Sequence, residues 1–125
     1  MASSQATPKQ VVDFLTAFKV AMDYGPFNLK DRSKNMQGIM DLGLTINQAK
    51  EVIASLTPDN YVAGPKPDDT DARKSVWEFG TRVGNAEVYI KLRLSEVRKG
   101  VCCALVWSFH PAEYSMKFPL RGGKS

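Results

Sequence analysis

The chain is poor in the residues that most site chemistry needs. Its 125 residues include one histidine, His110, and two cysteines, Cys102 and Cys103, side by side. Adjacent strand residues point to opposite faces, so a disulfide between these two would need a strained turn. No Cys-x-x-Cys or mixed Cys/His spacing occurs, and the carboxylates are scattered. The expectation is no metal site and no cofactor. The glycines form neither a Gly-x-Gly-x-x-Gly nor a Walker pattern, and no nucleophile elbow precedes a Ser-His-Asp order. That sets aside dinucleotide binding, P-loop chemistry and hydrolase triads. No apolar run is long enough to cross a bilayer, and MASSQATPKQ lacks the basic-then-apolar pattern of a secretion signal. A cytoplasmic protein with no membrane partner is expected.

What is present suits one globular domain. The chain is 43% hydrophobic and 24% charged, which argues against disorder. Lys plus Arg number 17 against 13 Asp plus Glu, a net charge of +4. This mild basic excess permits an acidic partner such as RNA without requiring one.

Residues 1–7 read as a disordered lead-in, 8–120 as a single domain and 121–125 as a loose tail. From Pro8, apolar residues fall at Val11, Leu15, Phe18 and Met22, one stripe of an amphipathic helix that Gly25-Pro26 ends. FNLK (27–30) fits a short edge strand. A second helix, capped by Asp31 or Ser33, is predicted to turn Met36, Ile39 and Met40 inward and to stop at Gly43. Thr45 and Gln48 have capping-box spacing for a third helix that buries Ala49, Val52, Ile53 and Leu56. Residues 57–75, rich in proline and charge, read as a long loop. From Val76 the period falls to two, giving strands at 76–83, 87–94 and 101–110 joined by hairpin turns. FPL (118–120) is expected to add a last short segment. The fold class is α+β, with three N-terminal helices packed on one face of a small antiparallel sheet.

The strand EVYIKLRL has two unlike faces. Val88, Ile90, Leu92 and Leu94 suit a core; Glu87, Tyr89, Lys91 and Arg93 point away. A solvated face decorated for solubility would look the same. However, Glu78 and Arg82 alternate on the preceding strand, and Ser108 and His110 share a face at the end of the next. A meander register brings Glu78, Tyr89, Lys91 and His110 together on the open face, and the long loop carries Lys66 near it. The aromatic residues Trp77, Phe79, Trp107 and Phe109 are expected in the core, with base stacking as a lesser alternative for Trp107. Tyr, Lys, Arg, His and Glu side chains together can bind a phosphodiester and move protons around it. RNA supplies its own nucleophile in the 2′-hydroxyl, so such a set would suffice.

The segments DLGLTINQAKEVIASLTPDNYVAGPKPDD, VWEFGTRVGNAEVYIKLRL and WSFHPAEYSMKFP, taken in order, resemble the MqsR-family toxins of bacterial toxin–antitoxin systems, in a divergent branch. The resemblance covers about residues 38 to 119. It implies a RelE-like fold and a metal-independent mRNA endoribonuclease neutralised by a cognate antitoxin encoded beside it. It also implies a catalytic set of Lys66, Glu78, Tyr89 and His110, with Lys74 a rival for the loop lysine. Arg82, Lys91 and Arg93 are the expected substrate contacts. Glu78 and His110 stand where the best-known member has Gln and Lys, so base preference does not carry over. A non-catalytic RNA- or protein-binding module on the same scaffold is the competing reading.

Overall fold

The computed structural model describes residues 5–121. The first helix, α1 (Pro8–Tyr24), buries Val11, Leu15, Phe18 and Met22, the stripe read from the sequence. Its start is fixed by a capping box. The Thr7 hydroxyl accepts from the Gln10 N–H at 3.2 Å, and the Gln10 side-chain Oε1 accepts from the Thr7 N–H at 2.9 Å. Ala6, just before it, is buried and donates its N–H to the Tyr61 hydroxyl. The expected lead-in therefore does not extend to Ala6; residues 1–4 lie outside the described residues, as do 122–125 of the expected tail. At Gly25 a Cβ would sit 2.4 Å from the Cys102 carbonyl oxygen, so the chain needs glycine to turn from α1 into the sheet.

Helix α3 (Ile46–Ala54) is capped by Thr45 and Gln48 as expected and buries Ala49 and Ile53. Helix α2 (Ser33–Asp41) is rotated from the expected setting. Met36 and Met40 are exposed, and Asn35, Gly38 and Ile39 face inward. Its N-cap is Arg32, with no side-chain cap bond, so neither Asp31 nor Ser33 caps it.

Five strands form one sheet in the order β1-β5-β4-β3-β2. They are β1 (Phe27–Leu29), β2 (Tyr61–Asp68), β3 (Asp71–Val83), β4 (Ala86–Arg98) and β5 (Val101–Pro111). Strand β1 runs parallel to β5 and the other pairs are antiparallel, so the sheet is mixed rather than the purely antiparallel one expected. The expected loop at 57–75 is instead a 3₁₀ turn (Pro58–Asn60), the whole of β2 and the start of β3. Its prolines misled because β2 is an edge strand with several register irregularities, where a missing N–H costs no ladder bond. Phe118–Leu120 forms no strand. Met116 and Phe118 instead lie over Gly80, where a Cβ would be 2.5 Å from the Met116 sulfur.

The core between helices and sheet includes Phe18, Ile53, Phe79, Ile90 and Phe109, all essentially without exposure. Burying a side chain of this size contributes about 1.5–3 kcal/mol. Helix α2 does something different: it closes the edge of β5. Strand β1 pairs only with Ala104, Leu105 and Val106, and the Lys30 N–H adds one bond to Val106. Beyond that point the Trp107 carbonyl and the Phe109 N–H would be left open. Asn35, fully buried, meets both at 3.1 Å: its amide donates to the Trp107 oxygen and its carbonyl oxygen accepts from Phe109. The same amide donates to the Lys30 carbonyl at 3.1 Å. With the Arg32 guanidinium, which reaches the same Trp107 carbonyl, this side chain stands in for a missing strand.

Asn35→Ala would orphan the Phe109 N–H in a site closed to water, while the Trp107 and Lys30 carbonyls keep their bonds from Arg32. A loss of about 1–3 kcal/mol is expected, the cost of one orphaned buried group. Urea unfolding followed by circular dichroism measures it; a change under half a kcal/mol would mean that water or a shifted backbone replaces the amide.

Candidate functional site

The site begins with an irregularity in β5. Ser108 stands opposite Lys91 and Val106 opposite Leu92, so one residue, Trp107, is extra. Val106 and Phe109 belong to the core, three positions apart instead of two. Trp107 and Ser108 both line the cleft on the open face. A bulge of this kind re-aims side chains next to a site. Trp107 is therefore not the core residue expected from its neighbours.

The cleft has a volume of about 510 Å³ and is walled by β3, β4, β5, the start of α2 and the segment after β5. Strand register sets its floor: Glu78 faces Lys91, Lys91 faces Ser108, and Tyr89 faces His110. The Tyr89 and His110 rings lie 5.5 Å apart, tilted at 42°. Helix α2 approaches His110 closely, because a Cβ on Gly38 would be 2.6 Å from the His110 Cβ. The His110 Nδ1 lies 2.9 Å from the Pro111 carbonyl. A carbonyl can only accept, so Nδ1 carries a proton whether or not the ring is charged, and Nε2 is the nitrogen left to exchange one with a ligand.

Burial raises the pKa of the Tyr89 phenol above its ordinary value. The nearby Glu78 carboxylate adds to this through its charge and by accepting the phenol's hydrogen bond, and Arg32 opposes it. Tyr89 is thus held neutral, as a donor. Lys66 pairs with Glu78 at 3.0 Å. It does so from strand β2 rather than from a loop, and Lys66, not Lys74, makes this contact. Glu78, Tyr89, Lys91 and His110 all line the cleft; Lys66 does not line it and reaches it only through its pair with Glu78.

Two expected substrate contacts stand apart. Arg82 pairs with Glu87 at 3.3 Å, beyond Gly80, where Met116 and Phe118 cross the face; it does not line the cleft. Arg93 is taken up by Asp68, whose side chain is only 1% exposed, so its guanidinium is committed inside the fold. In their place the start of α2 supplies Arg32 and Lys34. Arg32 donates to the Trp107 carbonyl and the Ser108 hydroxyl, each at 3.0 Å. Lys34 pairs with Glu113 at 2.9 Å across the cleft mouth. Its hydrogen bond and charge, with His110 adding charge, hold the Glu113 carboxyl below the usual range. The alternation Lys30, Arg32, Lys34 before α2 was the available signal, and helical periodicity gives no weight to it. Lys91 has no carboxylate partner among the described residues. The cleft therefore offers neutral donors, a basic imidazole and cations to an anionic ligand.

The Asp68–Arg93 pair also ties stability to pH. Burial acts to raise the Asp68 carboxyl, but the Thr70 N–H, the Arg93 guanidinium and the Thr70 hydroxyl outweigh it and hold the pKa at about 2, below the ordinary 3.8. A depressed carboxylate contributes stability above its unfolded value and loses it as pH falls through the folded one. The wild type should thus lose roughly 2 kcal/mol from this group between pH 5 and pH 2. Asp68→Asn should be less stable at pH 7 and show a flatter acid limb. Unfolding midpoints measured at a series of pH values check this, and equal acid limbs in the two proteins would contradict it.

Comparison of the chain with models of known protein families, with characterised proteins and with solved structures yields no match.

Proposed function

We propose that the cleft binds single-stranded RNA and cleaves it without a metal ion, by attack of the 2′-hydroxyl on the adjacent phosphate. The observation that carries this reading is the meeting of Tyr89, His110 and Glu78 with Lys91 and Arg32 around one open cleft, with Lys66 paired to Glu78. In this mechanism His110 Nε2 takes the proton of the 2′-oxygen. Lys91 and Arg32 offset the charge that grows on the phosphoryl oxygens. The Tyr89 hydroxyl donates its proton to the departing 5′-oxygen on the opposite side. A phenol with a raised pKa is a weak acid, but an alkoxide leaving group is a far stronger base, so the transfer becomes favourable as the P–O bond breaks. After product release His110 gives its proton up to water and the phenolate takes one from water, so both groups return to their starting states with no net proton gained or lost. The products are a 2′,3′-cyclic phosphate and a free 5′-hydroxyl.

The order of motifs along the chain and the α+β architecture support a finer reading: a RelE-like scaffold in a divergent branch of the MqsR family. On that reading the protein is a cytoplasmic toxin acting on mRNA and held in check by an antitoxin from the neighbouring gene. No helix among the described residues is long and apolar enough to cross a membrane. A second reading, a binding module without catalysis, draws on the two ion pairs that occupy Lys66 and Lys34. An ammonium already bonded to a carboxylate must give up that bond before it can meet a developing charge, so it is not preorganised for catalysis.

Purified protein incubated with RNA in EDTA separates the two. Cleavage leaving cyclic phosphate ends is expected, with His110→Ala and Tyr89→Phe each slower by about 10²–10⁴-fold while RNA affinity is kept. Binding without cleavage by the wild type, on free or ribosome-bound RNA, would select the binding module.

A further inference from the structure

Trp107 is held at both its backbone and its ring. Its main-chain carbonyl accepts twice, from the Arg32 guanidinium at 3.0 Å and from the Asn35 amide at 3.1 Å. Its ring has the Arg93 guanidinium 5.8 Å from its centroid and the Lys30 ammonium 5.0 Å from it. These two cations differ in kind. Arg93 is fixed by Asp68, a carboxylate buried on what would otherwise be a solvated face and itself secured by the Thr70 N–H and hydroxyl. Lys30 makes no ion pair among the described residues, so its long side chain is free to leave the ring. The bulge, meanwhile, has taken this apolar ring out of the core. A chain from Asp68 through Arg93 to Trp107 thus holds an indole steady on the cleft wall, with a displaceable ammonium beside it.

We propose that Trp107 is a stacking platform for a nucleobase. This rests on the reading of the cleft as an RNA site and names what binds one nucleotide away from the reacting phosphate. Trp107 precedes His110 by three residues, about 10 Å along an extended strand, which is within reach of a base whose ribose is joined to a phosphate at His110. On binding, the base displaces Lys30 from the indole and the ammonium moves to the phosphate backbone. Base and indole stack, with Arg93 adding its charge to the stack. Stacking of this sort favours purine or pyrimidine alike, because each has a π face, so Trp107 confers affinity for a base without reading its identity.

The test uses the full chain labelled with 5-fluorotryptophan, whose two resonances, from Trp77 and Trp107, are assigned through Trp107→Phe. Trp77 stacks on Phe14 at 4.5 Å on the helix side and serves as the internal control. The probe is a 2′-O-methyl hexanucleotide, which lacks the attacking hydroxyl, set against an abasic 2′-O-methyl hexamer of the same charge. The hexanucleotide is expected to move the Trp107 resonance and leave that of Trp77 in place, and the abasic hexamer to move neither. Trp107→Leu is expected to weaken hexanucleotide binding at least five-fold and to leave abasic binding unchanged; Trp107→Phe, which keeps a π face, restores most of it. Equal binding of the two hexamers, or hexanucleotide binding with an unmoved Trp107 resonance, would overturn the stacking role while leaving the cleavage mechanism standing. Stacking in a protein that never cleaves RNA would support the platform and remove the nuclease reading. Failure of the hexanucleotide to bind at all would overturn both.

Discussion

The cleft depends on how the edge of β5 is finished. A strand that loses its partner halfway leaves carbonyls and N–H groups that must be met by something, and here they are met by the Asn35 amide with help from the Arg32 guanidinium. Asn35 bonds to Trp107 and Phe109 on either side of Ser108. It thereby ties α2 to the bulged stretch of the strand. Arg32, one turn earlier, adds its bonds to the Trp107 carbonyl and the Ser108 hydroxyl. Gly38, one turn later, allows the helix to lie directly against His110. Three residues of one helical stretch therefore place three consecutive features of the site. An apolar contact could hold α2 nearby, but it would not fix its rotation, because hydrophobic burial is non-directional. Hydrogen bonds to a strand edge do.

The electrostatics of the open face have the same character. Most of its charges are paired with neighbours and one pair, Asp68 with Arg93, is buried. Compared with two well-packed apolar side chains a buried pair of this kind adds little stability, because desolvation offsets the attraction, although neutralising one member of it is costly. What it contributes is position: a guanidinium that cannot wander, beneath an indole that would otherwise have no reason to be there. Tyr89 is fixed in a comparable way, with burial and Glu78 keeping its proton in place. The cleft thus combines groups whose protonation and position are settled with a few cations, Lys91 among them, that remain free to meet a ligand.

Much of this was legible from the residues. Period-two alternation assigned Val88, Ile90 and Leu92 to the core and Tyr89 and Lys91 to the other face, and the register of the hairpins then brought Glu78 and His110 alongside. The helix caps at Thr45 and Gln48 and the stripe of α1 were equally clear. Three things were not. Strand β2 was hidden by Pro65 and Pro67, which are breakers in a central strand but tolerated at an edge. The setting of α2 was misread because Met36 and Met40 are its most apolar residues, while the contact that decides its rotation is polar. Arg82 and Arg93 were grouped with the site because alternation gives a side chain's face and nothing about its reach or its partner.

The sequence by itself determined the three helices, the alternation along β4, and Glu78, Tyr89, Lys91 and His110 as groups of the open face, because these follow from local periods and capping patterns. Only the tertiary structure decided which of those groups meet. The bulge at Trp107, the parallel strand β1, the burial of Asp68 against Arg93 and the crossing of Met116 and Phe118 over Gly80 all join residues far apart in the chain. Such contacts depend on the fit of one element against another, and no short window of sequence contains both sides of that fit.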